Sequence, residues 1–89
     1  MDSIELQTAI DQLDGWSRNG DAITKQFVFD SFRDAIDFIV RVADAAEKAD
    51  HHPELKNVYS RVSVRLTSHD ARAVTVRDVE LARAIDQCI

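Results

Sequence analysis

The residues best equipped for chemistry lie in the second half of the chain, in the spacing Glu47-x3-His51-His52-Pro53, followed by Tyr59, His69 and Asp78. All three histidines of the sequence fall between residues 51 and 69. Imidazole is the side chain that ordinarily changes charge near neutral pH, so three of them flanked by carboxylates point to proton transfer. Other chemistries are less well served. The single cysteine, Cys88, has no internal disulfide partner and no neighbouring base, and is expected to be inert. A zinc site could draw on the three histidines and a carboxylate, but adjacent His51-His52 is not the H-x3-H spacing by which one helix offers two ligands from one face. No metal is expected.

Neighbouring residues on a helix point about 100° apart, so His51 and His52 can face one site only if the helix ends beside them. Pro53 biases His52 away from the helical region and supplies that end. A helix C-terminus favours positive charge, and Glu47 lies one turn before His51, so both effects favour the imidazolium form. The plainer reading of these residues is a capping histidine with an exposed i,i+4 ion pair. His69, in the loop after Thr67-Ser68, would on its own be a surface residue at a strand end. Asp78 is read first as structure, the fourth residue of a Thr75-x-x-Asp78 capping box with about 1 kcal/mol at stake. Trp16 is most simply core or hairpin packing, and Tyr59, Phe27, Phe29 and Phe32 are packing or interface residues.

Several elements must position these groups. Ser3 is a candidate N-cap for a helix over about residues 4 to 13, with Leu6, Ala9, Ile10 and Leu13 on its apolar side. Asp14-Gly15 stops it, Trp16-Ser17-Arg18 forms a short strand, and Asn19-Gly20 is a hairpin signal. Residues 22 to 29 alternate, with Ile23, Phe27 and Phe29 facing away from Thr24 and Gln26. Ser31-x-x-Asp34 resembles a capping box, after which Phe32, Ala35, Ile36, Ile39, Ala43 and Ala46 form an apolar stripe on a helix running to about Asp50. From Leu55 to Thr67 period two returns, with Val58, Val62, Val64 and Leu66 on one side; this pattern alone permits one long strand. Val79, Ala82, Ile85 and Ile89 continue a last helix.

Composition narrows the class. The chain has 89 residues, read as one domain over 1–89, near the lower limit for a self-sufficient core, so a large binding cavity would be shallow or completed by another subunit. A net charge of −5, from 16 acidic and 11 basic residues, argues against a nucleic-acid binder. Arg61, Arg65, Arg72 and Arg77 lie close in sequence and are read as a solvated strand face in preference to an anion-binding one. No leader-like segment and no membrane-spanning run is legible, so a cytoplasmic setting is expected.

The strings EKADHHPELKNVY and SHDARAVTVRD resemble the pterin-4a-carbinolamine dehydratase family, also called 4a-hydroxytetrahydrobiopterin dehydratases, and the likeness runs from Gly15-Trp16 to the last helix. The resemblance implies two strands between residues 55 and 67, a short one before Tyr59 and a longer one after it. The element order becomes α-β-β-α-β-β-α, an α+β two-layer domain with a four-stranded antiparallel sheet and three helices on one face. It also implies a lyase that dehydrates 4a-hydroxytetrahydropterin to quinonoid dihydropterin in tetrahydrobiopterin recycling, without metal or organic cofactor. The implied site has His51, His52 and His69 as the acid/base set, with Glu47, Asp50, Trp16 and Asp78 binding substrate or supporting them. Implied partners are a pterin substrate, further copies of the chain in a dimer or tetramer, and a functional link to an aromatic amino acid hydroxylase. The sequence departs from the family pattern at Ser68, where threonine is usual, and at Ala73, where glycine is usual. Were residue 73 to need a positive φ, alanine there would cost about 1 kcal/mol. The competing reading is a non-catalytic interaction or assembly module on the same fold.

Overall fold

The computed structural model describes residues 2–89 and arranges them as α1 (Ser3–Asp11), β1 (Ser17–Asn19), β2 (Ala22–Val28), α2 (Phe32–Ala49), β3 (Glu54–Val58), β4 (Arg61–Leu66) and α3 (Val76–Asp86). The strands form one antiparallel sheet in the order β1-β2-β4-β3. Successive strand side chains point to opposite faces, and the register sets Ile23 opposite Leu66 and Phe27 opposite Val62. These four and Val64 are buried beneath the helices. Each such side chain contributes about 1.5–3 kcal/mol through removal from water. Gln26, Ser63 and Arg65 belong to the opposite face, which carries no helix.

Three sequence expectations shift in detail. The N-cap of α1 is Asp2, whose carboxylate accepts the Glu5 amide at 2.8 Å, and Ser3 is the first helical residue. Ser31 does cap α2 and accepts the Asp34 amide, but the buried face of that helix is Ala35, Phe38, Val42 and Ala46. Phe32 is half exposed and Ala43 is exposed, while Ile36 and Ile39 flank the buried line. The helix is rotated by Phe38, whose ring packs 4.7 Å from that of Phe27 and 4.9 Å from that of Phe29. Val58 is also exposed, because it pairs with Arg61 across a tight turn and lands on the uncovered face. Period two counted through residues 58 to 62 fails where the turn intervenes.

The turns explain how the strands reverse. Asn19 pairs with Ala22, so the first hairpin turns on Gly20-Asp21, with Gly20 at a φ of 65°. The second turns on Tyr59-Ser60, with Tyr59 at 52°. A tyrosine is tolerated there because the Asn57 side-chain amide donates to the carbonyls of Tyr59 and Arg61 and so holds the turn. In the loop between β4 and α3 the left-handed residue is Arg72, also at 52°, whereas Ala73 forms a bridge with Ser68. The expected strain at Ala73 is therefore absent, and the cost falls one residue earlier.

A pair of substitutions separates the two positions. Arg72→Gly is expected to raise unfolding stability by about 0.5–1 kcal/mol in urea denaturation, because glycine takes a positive φ freely. Ala73→Gly is expected to lower it by a comparable amount, since it adds only unfolded-state freedom. Equal effects of one sign would contradict the assignment.

Candidate active site

The C-terminus of α2 determines where the first two histidines go. Asp50 adopts a left-handed conformation at a φ of 51°, which aspartate tolerates better than most residues. The amides of Asp50 and His51 then fold back onto the carbonyls of Glu47 and Ala46, the paired bonds of a Schellman end. The helix thus stops before Pro53, which leads into β3. Asp50 acts through its backbone, turning His51 off the helix axis.

This turn redirects the expected ion pair. His51 does not meet Glu47 one helical turn back; its Nε2 lies 2.6 Å from Oδ1 of Asp78 on α3. His52 is the residue that returns to Glu47, with Nε2 2.5 Å from Oε2. The two pairs differ in surroundings. His51 and Asp78 have side chains 10% and 0% exposed, against 61% and 75% for His52 and Glu47. Only the buried pair is strengthened by a low local dielectric; the exposed pair is open to water and salt.

Asp78 is saturated with partners. Its Oδ2 accepts the Thr75 amide at 2.8 Å and the Ser68 hydroxyl at 2.8 Å, and it completes the reciprocal capping box at the start of α3. Ser68 spends its only proton on Asp78, so the Thr75 hydroxyl donates the 2.7 Å bond between the two hydroxyls. An ionised carboxylate accepts only, so in a neutral His51 ring this contact places the proton on Nε2 and leaves Nδ1 as the acceptor. Asp78 therefore holds both the capping role read from sequence and the orientation of a histidine. Ser68 and Thr75 were not among the sequence candidates, and the signal that could have found them is the hydroxyl at each end of the loop that carries His69.

His69 itself is exposed, next to buried Ser68, and its carbonyl accepts the Arg72 amide. Side-chain hydrogen bonds link His51 through Asp78 to Ser68, while His52 and His69 adjoin that chain as sequence neighbours. Nearby, the Arg77 guanidinium, 2.6 Å from Asp70, holds that carboxyl below its usual range. Trp16 is not drawn into this group. Its indole N–H donates to Asp86 at 3.1 Å, and Asp86 lies about 12 Å along α3 from Asp78 at 1.5 Å per residue. Tyr59 sits exposed at a hairpin turn.

The cleft beside His51 is lined by Ala49, Arg77, Glu80, Leu81 and Ala84 and measures about 100 Å³. Ligand pockets ordinarily run from about 300 Å³ upward, so this cleft alone does not enclose a bicyclic ring. Burial pushes the Cys88 thiol up, and its Sγ donates to the Ala84 carbonyl, both unfavourable to a thiolate nucleophile. Among the described residues no three histidine, cysteine, aspartate or glutamate side chains converge as a ligand set. No helix among them is long and apolar enough to cross a membrane.

The chain is similar to several known proteins. Residues 1–88 match the family profile described as pterin 4 alpha carbinolamine dehydratase. A provisionally named pterin-4-alpha-carbinolamine dehydratase of Koribacter versatilis is 49% identical over 93% of this chain and 88% of its own. A protein of the same provisional name from Rhodopseudomonas palustris strain BisB18 is 52% identical over 92% and 83%. Among solved structures, a transcriptional coactivator/pterin dehydratase from Brucella melitensis superposes with a TM-score of 0.91 at 39% identity, covering 99% of this chain and 96% of that one. A pterin dehydratase-like protein identified as a RuBisCO assembly factor of the alpha-carboxysome shares the fold, with a TM-score of 0.68 at 18% identity over 82% and 84%.

The Asp78 contact makes a spectroscopic prediction. In Asp78→Asn the side-chain oxygen remains with the Thr75 amide, and the new NH2 group faces His51, whose Nε2 must then accept. Nitrogen-15 NMR of neutral His51 is expected to move from the Nε2–H to the Nδ1–H tautomer, with about 1–3 kcal/mol of stability lost. An unchanged tautomer would show that Asp78 does not orient the ring.

Proposed function

The chain belongs to the pterin 4 alpha carbinolamine dehydratase family of hydro-lyases, and from that premise we propose that it removes water from 4a-hydroxytetrahydropterin by histidine acid/base catalysis. The observation that carries this reading is the buried Asp78 carboxylate, which joins the His51 end of α2 to the loop bearing His69. In the reaction the C4a–O bond breaks, the hydroxyl leaves as water after taking a proton, N5 loses its proton, and the electron pair of that N–H bond forms the C4a=N5 double bond of quinonoid dihydropterin.

His51 is the base in this scheme. Its free Nδ1 is the acceptor, and Asp78 beside Nε2–H stabilises the imidazolium that forms, as a buried aspartate does for a catalytic histidine. His52 and His69, both exposed, serve the departing hydroxyl and the substrate's polar edge, with Glu47 orienting His52. Ser68 and Thr75 act through Asp78 and are positioning residues. Asp50 directs the backbone of the two histidines, and Trp16 supports the domain over 1–89 from the far end of α3.

The same reading includes self-association in the cytoplasm and a role in recycling the pterin of an aromatic amino acid hydroxylase. Phe32 and Val40 on α2 are about half exposed, at 50% and 55%, and β3 presents an unpaired sheet edge. Pairing with another copy would cover such features.

Two measurements test the proposal. Alanine at His51, His52 or His69 is expected to lower the dehydration rate of 4a-hydroxytetrahydropterin at least about tenfold with folding retained; wild-type rates in all three would refute the assignment. Saturable pterin binding without turnover would instead favour an interaction module. Light scattering is expected to give a dimer or tetramer of the 10.0 kDa chain, and a monomer at micromolar concentration would remove the self-association part.

A further inference from the structure

The uncovered face of the sheet contains a second cleft, whose lining includes none of the three histidines. Ser63 lies near the middle of that face, on β4, and has a short side chain. It is opposite Gln26 on β2 and Lys56 on β3, while Arg61 on the same strand is opposite Val28 and Val58. Long side chains around a short one leave a depression of about 270 Å³ lined by Gln26, Lys56, Val58, Arg61 and Ser63.

Charge distinguishes this depression from its neighbour. The adjoining cleft, about 290 Å³ and lined in part by Thr24, Glu54, Lys56 and Arg65, has its arginine neutralised, because Arg65 pairs with Glu54 at 2.6 Å and Asp21 at 3.3 Å. Lys56 and Arg61 make no ion pair among the described residues. In a chain with 16 carboxylates and a net charge of −5, two unneutralised cations flanking one hydroxyl are a local reversal of sign. The Gln26 amide and the Ser63 hydroxyl add neutral donors, and Val58 adds an apolar wall.

We propose that this cleft binds a small phosphate monoester, its phosphate between Lys56 and Arg61 above Ser63 and its organic part against Val58. Two positive charges match a phosphate, which carries about 1.5 to 2 negative charges at neutral pH, better than a carboxylate, which carries one. Arginine presents a planar fork to phosphate oxygens, and lysine supplies a point charge. The site is exposed, so its affinity falls as salt rises.

The test is titration of the full chain with phenyl phosphate, followed by amide chemical shifts, with phenol as the neutral control and sodium chloride at matched ionic strength. Saturable shifts centred on Gln26, Lys56, Arg61 and Ser63, with a dissociation constant of about 1 mM or tighter at low salt, are expected. K56Q/R61Q should weaken binding at least tenfold, and Ser63→Leu, which fills the floor without changing charge, should do the same. Dehydration of 4a-hydroxytetrahydropterin should be unchanged in K56Q/R61Q. Non-saturating shifts, shifts reproduced by chloride, or shifts centred on His51, His52 and His69 would overturn the site. Loss of dehydration in K56Q/R61Q would overturn its separateness by making the cleft part of the substrate site, whereas the failure of histidine catalysis would leave the phosphate titration unaffected.

Discussion

One buried carboxylate organises the histidine-bearing end of the molecule. Asp78 is fully removed from water, a placement that would cost several kcal/mol for an unpaired charge. The cost is offset by hydrogen bonds from the Thr75 amide, the Ser68 hydroxyl and the His51 ring. Those donors belong to three different segments: the start of α3, the end of β4 and the end of α2. Removing any one of them leaves a buried acceptor less well satisfied, so the three segments are coupled through a single side chain.

A second anchor holds the other end of the same helix. Asp86 accepts from the Trp16 indole and pairs with Lys25 at 2.9 Å, and Lys25 in turn lies 4.8 Å from the centroid of the Phe27 ring. Helix α3 is thus tied by Asp78 to α2 and the histidine loop, and by Asp86 to the β1-β2 hairpin. Between these anchors Val79, Leu81, Ala82 and Ile85 are buried in the core. The rigidity needed to hold His51 in one tautomer comes from this double attachment together with the apolar packing between its ends.

What could be read from sequence follows from how local each determinant is. Most of the element order was legible because period two, period 3.6 and the capping patterns at Ser31 and Thr75 are short-range signals, whereas the division of residues 55–67 into two strands rested on the family resemblance. The rotation of α2 was not. Ala35 and Ala46 fit either of two apolar lines, and the choice of the one through Phe38 and Val42 is made by Phe27 and Phe29 on the sheet side. The face of Val58 depended on its partner Arg61, not on its own neighbours in sequence. In the site, the chemical types and their grouping were visible, but the pairing of Glu47 with His52 in place of His51 required the left-handed turn at Asp50. Resemblance to a glycine-bearing loop pointed to Ala73, whereas the positive φ belongs to Arg72.

The result is a histidine group of unequal order, and the inequality bears on how a substrate would be held. His51 is held by Asp78 without any ligand, so the proton transfer proposed at its Nδ1 would start from a fixed geometry. His52 and His69 are exposed and must be ordered as a ligand binds, at about 0.5–1.5 kcal/mol for each immobilised side chain. A cleft of about 100 Å³ beside His51 contributes little apolar area to offset that cost. The proposed association with another copy would address both deficits where its surface lay against the cleft, and His69, which lacks the carboxylate partner that His52 has in Glu47, would gain most. In the proposed scheme Asp78 would orient the base within one chain, while closure of the site would depend on contact between chains.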